Sequence, residues 1–166
     1  MRAGIQRVSQ AQVRAEGRTI SQIGHGLLVF LGIGKEDTPR ETEFLLDKII
    51  HLRIFEDDKG KMNRSLVETG GELMVISQFT LYADCRKGRR PSFTEASPPE
   101  EAEFLYETFL AQAKSRGIKV SAGLFQAHME VDLVNTGPVT ILLDHSKGLS
   151  SKEAHPRGEH QAFSHD

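Results

Sequence analysis

A short run of hydroxyl and amide side chains, Ser77-Gln78-Phe79-Thr80, ends an apolar segment that begins at Leu73. A hydroxyl group becomes a nucleophile when a neighbouring base activates it, and no such base stands beside Thr80 in the sequence. Polar groups at the end of a strand can be held rigidly while facing a cleft, so Ser77, Gln78, Phe79 and Thr80 are candidate catalytic residues. The alternative that Ser77 and Thr80 only bond to turn backbone stays open.

A basic run follows directly, in which Arg86, Lys87, Arg89 and Arg90 lie within five positions. Four neighbouring cations could bind phosphates through charge and through bidentate guanidinium contacts. A solvated surface loop explains the same residues equally well, so the residue types alone leave both interpretations open.

The segment Asn135-Thr136-Gly137-Pro138 separates two apolar runs near the end of the chain. Gly and Pro between strands usually form a plain turn, and a turn is predicted here. The residues alone give no reason to expect a cis peptide bond before Pro138.

Other catalytic signatures are missing from the sequence. It contains no G-x-S-x-G, no H-E-x-x-H and no phosphate-binding Gly-Lys loop, and Gly32-Ile33-Gly34 lacks the third glycine of a dinucleotide site. The histidines before residue 147 are scattered, and none stands in an obvious relation to a nucleophile. We therefore expect neither a catalytic triad nor a metal enzyme, and no cofactor.

The composition is that of an ordinary soluble protein. The 166 residues are 38% hydrophobic and 27% charged, and the formal net charge is -2, so any contact with nucleic acid must be local. The single cysteine, Cys85, fits a reducing compartment, and the longest apolar run, residues 27–33, is too short to span a bilayer. A single-domain cytoplasmic protein without membrane contact is expected.

Hydrophobic patterning predicts seven or eight strands and two long helices. The predicted strands cover residues 3–13 (with a turn near Ser9-Gln10), 18–23, 27–31, 73–79, 120–125, 129–134 and 139–143, with a further turn at Glu16-Gly17. The fold class expected is α/β, with mixed β-sheets forming a barrel-like core and two long helices packed outside.

Both helices are predicted from capping boxes. Thr38-Pro39-Arg40-Glu41 begins the first helix, and Ser97-Pro98-Pro99-Glu100 begins the second, for which Gly117 is the expected C-terminal cap. The residues predicted to be buried are Phe44, Leu45, Ile49 and Leu52 in the first helix, and Phe104, Leu105, Phe109 and Ala113 in the second.

The composition changes at Gly148 to Ser, His, Glu, Lys and Gly. The predicted organisation is therefore one domain over residues 1–147 and a polar, disordered tail over 148–166. His155, His160 and His165 recur every five residues, which is no recognised metal-ligand spacing, so metal binding is not expected there.

Together these segments resemble the D-aminoacyl-tRNA deacylase family, also known as the D-tyrosyl-tRNA deacylase family. The similarity runs from Met1 to about His145, and several unrelated motifs occur in the right order. The matching motifs are Gln6-Arg7-Val8, Gly26-Leu27-Leu28-Val29, Lys61-Met62-Asn63-Arg64-Ser65, Ser77-Gln78-Phe79-Thr80-Leu81, Lys87-Gly88-Arg89-Arg90-Pro91-Ser92-Phe93 and Asn135-Thr136-Gly137-Pro138-Val139-Thr140.

The resemblance implies hydrolysis of the ester of D-aminoacyl-tRNAs, and of glycine mischarged on tRNA(Ala), in translation quality control. It implies a homodimer in which Gly137-Pro138, in the cis form, enters the partner's site beside Ser77 to Thr80. There its main-chain carbonyls would capture the substrate amino group and exclude an L-side chain. The tRNA acceptor 3′ end would be the partner, with Arg86, Lys87, Arg89 and Arg90 on its phosphates.

For the chemistry we expect the 2′-hydroxyl of the RNA to assist, with backbone N–H groups near Phe79 and Thr80 stabilising the oxyanion. Two alternatives stay open. The chain could be a paralogue acting on L-alanyl-tRNA(Thr), or a non-catalytic nucleic-acid-binding module.

Overall fold

The computed structural model describes residues 1–145, which form a mixed α/β fold. Most strands gather in one curved sheet, and a separate short hairpin lies beside it. The strands are β1 (Arg2–Ala15), β2 (Arg18–Ile23), β3 (Gly26–Gly32), β4 (Phe55–Glu56), β5 (Met62–Arg64), β6 (Glu72–Ser77), β7 (Val120–Ala122) and β8 (Glu130–Asp144). The helices are α1 (Pro39–His51), α2 (Leu66–Thr69) and α3 (Pro99–Ser115), and a 3₁₀ turn spans Phe79–Tyr82.

The six-stranded sheet curls into a nearly closed barrel. Its order is β2-β1-β3-β6-β7, and β8 pairs with β1. The pairs β3–β6 and β6–β7 are parallel, whereas β1 is antiparallel to β2, β3 and β8. Ser21 Oγ donates to the Ala122 carbonyl at 2.7 Å, which links β2 to β7 across the remaining gap. The predicted barrel-like core with two long helices outside is confirmed.

The turn predicted near Ser9-Gln10 is wrong, because β1 runs unbroken through it for 14 residues. The turn predicted at residues 135–138 does not reverse the chain either. Both predicted strands there belong to β8, which stays paired with β1 on each side of Gly137-Pro138. The register shifts instead: Gln6 faces Thr140, whereas Val8 faces Asn135, so extra residues of β8 bulge out between them. The turn at Glu16-Gly17 is confirmed, with φ of 51° and 73°.

Both long helices pack against the same hydrophobic cluster as the sheet, and each buries a stripe of the form i, i+1, i+4, i+5. In α1 the apolar members are Leu45, Leu46, Ile49 and Ile50; in α3 they are Leu105, Tyr106, Phe109, Leu110 and Ala113. The predicted burial of Phe44 and Phe104 is therefore wrong, since each lies one position before its stripe and is 49% or 63% exposed. Phe44 instead stacks on His145, with ring centroids 4.3 Å apart.

Of the two predicted capping boxes, one forms and the other does not. The Thr38 box forms, with its backbone N–H donating to Glu41 at 2.7 Å. The box predicted at Ser97 does not, because the Ser97 N–H is drawn to the Ile33 carbonyl at 2.9 Å and the helix starts one residue later, with Pro98 at the N-cap. Gly117, at φ 76°, ends α3 as expected, and the next N–H bonds back to Ala113.

Two small elements were not predicted, the β4–β5 hairpin and α2. Among residues 1–145 no helix is long and apolar enough to cross a membrane. The polar tail that was predicted to be disordered, with its three histidines, lies outside the described residues.

Candidate active site

The candidate catalytic residues lie where β6 leaves the sheet. Ser77 is the last residue of β6, and the Gln78 N–H still donates to the Leu31 carbonyl on the neighbouring strand at 2.8 Å. The chain then winds into the 3₁₀ turn, where the Gln78 carbonyl accepts from the Leu81 N–H at 3.2 Å. The four residues are thus fixed to a central strand, as a site requires.

The hydroxyl of Thr80 accepts a short hydrogen bond from the side-chain amide of Gln78. An amide N–H cannot remove a proton, and Thr80 makes no hydrogen bond to an ionisable side chain within residues 1–145. The backbone N–H groups of Phe79 and Thr80 are different, because neither donates to an acceptor in the described part of the chain. They are the unsatisfied donors at the start of a helical turn.

A cleft of about 820 Å³ opens beside these residues. Ser77, Gln78 and Phe79 line one side of it, and Phe79, 57% exposed, meets Phe93 edge-on with ring centroids 5.0 Å apart. The remaining wall comes from Ile33, Ile76, Ala96, Ser97, Pro99, Ala102, Phe125, Gln126, Ala127, His128, Met129 and Val131. The lining is therefore mostly apolar with a few polar groups, as in binding sites for small organic groups.

Sequence reasoning missed one whole wall of this cleft. The predicted strands ended at Phe125 and resumed at Met129, but residues 123–129 lie outside the strands and include a turn in which Gln126 has the left-handed φ of 59°. A non-glycine residue in that region is uncommon and clusters at functional sites, but it leaves no signal in the sequence.

The basic loop 86–91 projects beyond the cleft and is closed by backbone bonds between Asp84 and Ser92. Within this loop Arg86 is already paired, because its guanidinium donates two hydrogen bonds to the Asp84 carboxylate, at 2.7 and 2.9 Å. This contact lowers the pKa of Asp84 to about 2 and raises that of Arg86. Lys87, Arg89 and Arg90 are exposed and form no ion pair with any described residue.

Gly137-Pro138 does not line the cleft of its own chain. Its peptide bond is cis, and both residues are exposed. The segment is anchored by Arg7, which is only 7% exposed. The Arg7 guanidinium donates to the Thr136 carbonyl at 3.0 Å and to the Ile54 carbonyl at 2.7 Å. One protomer thus keeps the two predicted motifs apart.

The sequence profile of the family described as D-Tyr-tRNA(Tyr) deacylase matches residues 4–144. The chain is 58% identical over 147 residues to a D-aminoacyl-tRNA deacylase of Thermotoga petrophila, covering 89% of this chain and 99% of the relative. It is 56% identical over 149 residues to a D-aminoacyl-tRNA deacylase of Clostridioides difficile, covering 90% and 100%.

The chain belongs to the D-Tyr-tRNA(Tyr) deacylase family.

Solved structures agree with this membership. A protein named c-Myc DNA Unwinding Element Binding Protein is 44% identical, with a TM-score of 0.83 over 88% of this chain and 99% of the other. A probable eukaryotic D-amino acid tRNA deacylase is only 17% identical, but its TM-score of 0.76 over 87% and 98% of the two chains shows the same fold. The expected family, and with it the hydrolase class, is confirmed.

Within residues 1–145 of this family member, no three His, Cys, Asp or Glu side chains lie close enough to hold a metal ion. What residues 1–145 offer chemically at the end of β6 is a pair of unpaired main-chain donors and a mostly apolar cleft.

Proposed function

We propose that this chain hydrolyses the ester between a D-amino acid and the terminal adenosine of tRNA, releasing free tRNA and amino acid as a quality-control step of translation in the cytoplasm. The observation that carries the proposal is the cleft at the end of β6, in a chain more than half identical to named deacylases. Its apolar walls suit a nucleoside and an amino-acid side chain. Phe79 and Phe93 offer ring edges and faces against which an adenine can pack.

In the proposed reaction Thr80 does not attack the ester. Its hydroxyl faces an amide donor and lacks a base, whereas the substrate has a 2′-hydroxyl beside its own ester. Water attacks the ester carbonyl with the help of the 2′-hydroxyl, which passes the proton of the water on, and the N–H groups of Phe79 and Thr80 hold the negative charge that develops on the carbonyl oxygen. The bond to the 3′-oxygen then breaks, and that oxygen leaves with the proton as the free 3′-hydroxyl of the tRNA. Backbone donors fixed by a strand need no reorganisation when that charge appears.

Gly137-Pro138 is proposed as the selector between enantiomers, acting in the cleft of a second copy of the chain. The segment is exposed, does not line its own cleft, and is held by the buried Arg7. Main-chain carbonyls presented in this way bind the substrate amino group and leave no room for an L-side chain. Steric exclusion of the L-side chain discriminates between the enantiomers far better than additional contacts to the D-side chain would. Glycine has no side chain to exclude, so glycine on tRNA(Ala) is proposed as a substrate too.

An exposed apolar side chain on β8 supports the second copy. Leu142 is 76% exposed, and its methyl group lies near Gly4 beside the side chain of Leu81. An apolar side chain this exposed on a strand favours contact with another protein surface. Light scattering should give a mass near twice that of the chain for the wild type and a lower mass for Leu142→Asp. A Phe104→Asp variant, which changes an exposed apolar residue of α3 (63% exposed), should keep the larger mass.

One assay tests the activity and its alternatives together. The protein is incubated with D-Tyr-tRNA, L-Tyr-tRNA, Gly-tRNA(Ala) and L-Ala-tRNA(Thr), and loss of each ester is followed. We expect release from the D-substrate and from glycine only. Release from L-Ala-tRNA(Thr) would favour the paralogue activity. The similarity to a protein named for DNA binding makes binding without release the second candidate, a nucleic-acid-binding module.

The mechanism has its own test, on D-Tyr-tRNA ending in 2′-deoxyadenosine. We expect hydrolysis to be lost with this substrate and largely kept by Thr80→Ala on normal tRNA. If Thr80→Ala loses activity by many orders of magnitude while the 2′-deoxy substrate is still cleaved, Thr80 is the nucleophile instead.

The basic loop is proposed to bind phosphates of the acceptor stem, chiefly through Lys87, Arg89 and Arg90, with Arg86 held by Asp84 at its edge. Reversing these three charges to Glu should weaken tRNA binding. It should also flatten the dependence of affinity on salt by about 0.7–0.9 in log–log slope for each lost phosphate contact.

A control for overall charge reverses three other exposed cations, Arg18, Arg40 and Lys114, which lie on β2 and the two long helices. That variant has the same net charge as the loop variant. Equal salt slopes for the two variants would refute the assignment.

A further inference from the structure

The cleft contains one ionisable side chain, His128. All the other lining residues named above are apolar or carry hydroxyl or amide groups. Several carboxylates adjoin the lining residues in sequence but do not line the cleft themselves, namely Glu95, Glu100, Glu101, Glu130 and Asp132. Glu101 accepts from the Ser97 hydroxyl at 3.4 Å, and Glu130 lies 3.5 Å from Arg14; neither lines the cleft.

This neutrality matters because the proposed substrate is not neutral. The terminal adenosine is joined to the rest of the tRNA by a phosphodiester. When the ester lies against the N–H groups of Phe79 and Thr80, the nucleoside fills the cleft and that phosphodiester leaves through its rim. A negative charge that leaves a mostly apolar cleft loses hydration and gains from a local cationic donor.

The turn that holds His128 is built to fix its position. The Gly123 N–H donates to Val75 on β6 at 3.1 Å, and the Ala127 N–H donates to Leu124 at 3.2 Å. Gln126, between them, adopts the left-handed backbone that non-glycine residues seldom accept. His128 follows directly, exposed to solvent on a turn tied to the same strand that ends in Ser77.

We propose that His128, in its protonated form, donates a hydrogen bond to the phosphodiester on the 5′ side of the terminal adenosine and so positions the ester. This inference rests on the proposed function and adds a residue to it. A protonated imidazole carries a positive charge and a neutral one does not, so the contact should weaken as the pH rises. Within one protomer, the residues that line the cleft from β6, residues 93–97, the start of α3 and Phe125 carry no charged side chain.

The experiment compares two small probes, adenosine and adenosine 5′-methyl phosphate, whose single negative charge imitates the phosphodiester. Their affinities are measured by calorimetry at pH 5.5 and 8.5 for the wild type, His128→Asn and His51→Asn. His51 is the matched control, an exposed histidine on α1 outside the cleft. For the wild type we expect the phosphate to improve binding about tenfold at pH 5.5 and hardly at all at pH 8.5. His128→Asn should lose this advantage, and His51→Asn should keep it.

The same variants are then assayed on D-Tyr-tRNA. A positioning role predicts that His128→Asn raises KM at pH 5.5 and leaves kcat nearly unchanged. A general base would give the opposite signature, a lower kcat and a wild-type rate that rises with pH. That signature would overturn the inference, as would a phosphate advantage that persists in His128→Asn. If adenosine fails to bind and D-Tyr-tRNA is not hydrolysed, the proposed function fails and the inference with it; if both occur without a phosphate advantage, only the inference fails.

Discussion

Replacing Arg7 by methionine should destabilise the protein far more than the same substitution at Arg14. Both arginines project from β1 and contact groups outside that strand. Arg7 is almost fully buried and binds two main-chain carbonyls, those of Thr136 and Ile54. Arg14 is 40% exposed and pairs only with carboxylates on β8, at 3.1 and 3.5 Å.

The magnitude follows from these contacts. A hydrogen bond to a charged donor contributes about 1.5–3 kcal/mol, and a buried acceptor left without a partner adds its desolvation. The Ile54 carbonyl contact is buried, whereas the Thr136 carbonyl is partly open and can regain water. We therefore expect Arg7→Met to lower the free energy of unfolding by roughly 2–4 kcal/mol. Exposed ion pairs are worth about 1 kcal/mol or less, so Arg14→Met should cost no more than that.

The measurement is urea unfolding at a fixed protein concentration, followed by circular dichroism. With a slope of roughly 2 kcal/mol per molar urea, in the middle of the usual range, Arg7→Met should move the midpoint down by about 1–2 M. The variant should also lose discrimination between D-Tyr-tRNA and L-Tyr-tRNA, because Arg7 anchors the segment that contains Gly137-Pro138. Equal midpoint shifts for the two methionine variants would refute the reasoning.

Two further predictions concern close packing and an ion pair. A Cβ added at Gly26 would lie 1.9 Å from the Glu72 carbonyl oxygen, so Gly26→Ala should prevent folding or cost about 3 kcal/mol or more; Gly24→Ala, with no atom within 4 Å, should unfold like the wild type. Asp84 should titrate near pH 2 by carboxyl NMR, and its pKa should rise in Arg86→Met, which loses the guanidinium contact but keeps the hydrogen bond from the backbone N–H of residue 86. Because the pKa of Asp84 is depressed in the folded state, its contribution to stability is present above about pH 4 and is lost as the pH falls toward 2. An unchanged titration midpoint of Asp84 in Arg86→Met would show that the Arg86 guanidinium is not the cause of the lowered pKa.

Local sequence determined the elements whose signals are local. The capping box at Thr38 begins α1, Gly117 ends α3, and Glu16-Gly17 makes the turn between β1 and β2. Each depends on bonds or dihedral angles within a few residues, which the residue types specify almost completely. The family membership was also readable, because several motifs along the chain occur in one order.

The predictions from sequence were wrong where the structure depends on contacts with residues far away along the chain. The spacing of apolar residues predicted the buried face of each helix to within one residue. Which residue at the edge of that face is buried depends on how the helix lies on the sheet. Phe44 and Phe104 are exposed for that reason. Likewise Gly and Pro ordinarily turn the chain, but pairing with β1 on both sides of residues 135–138 keeps β8 a single strand.

The candidate site shows the same division. Ser77 to Thr80 could be named from the sequence, since polar residues at a strand end are visible there. The cleft could not, because its walls join segments near residues 33, 77, 96 and 127 that only the closure of the barrel brings together. The sequence alone therefore determined the chemical groups and the strand that ends in them. Only the tertiary structure decided what faces them, because burial and proximity depend on contacts between residues far apart along the chain.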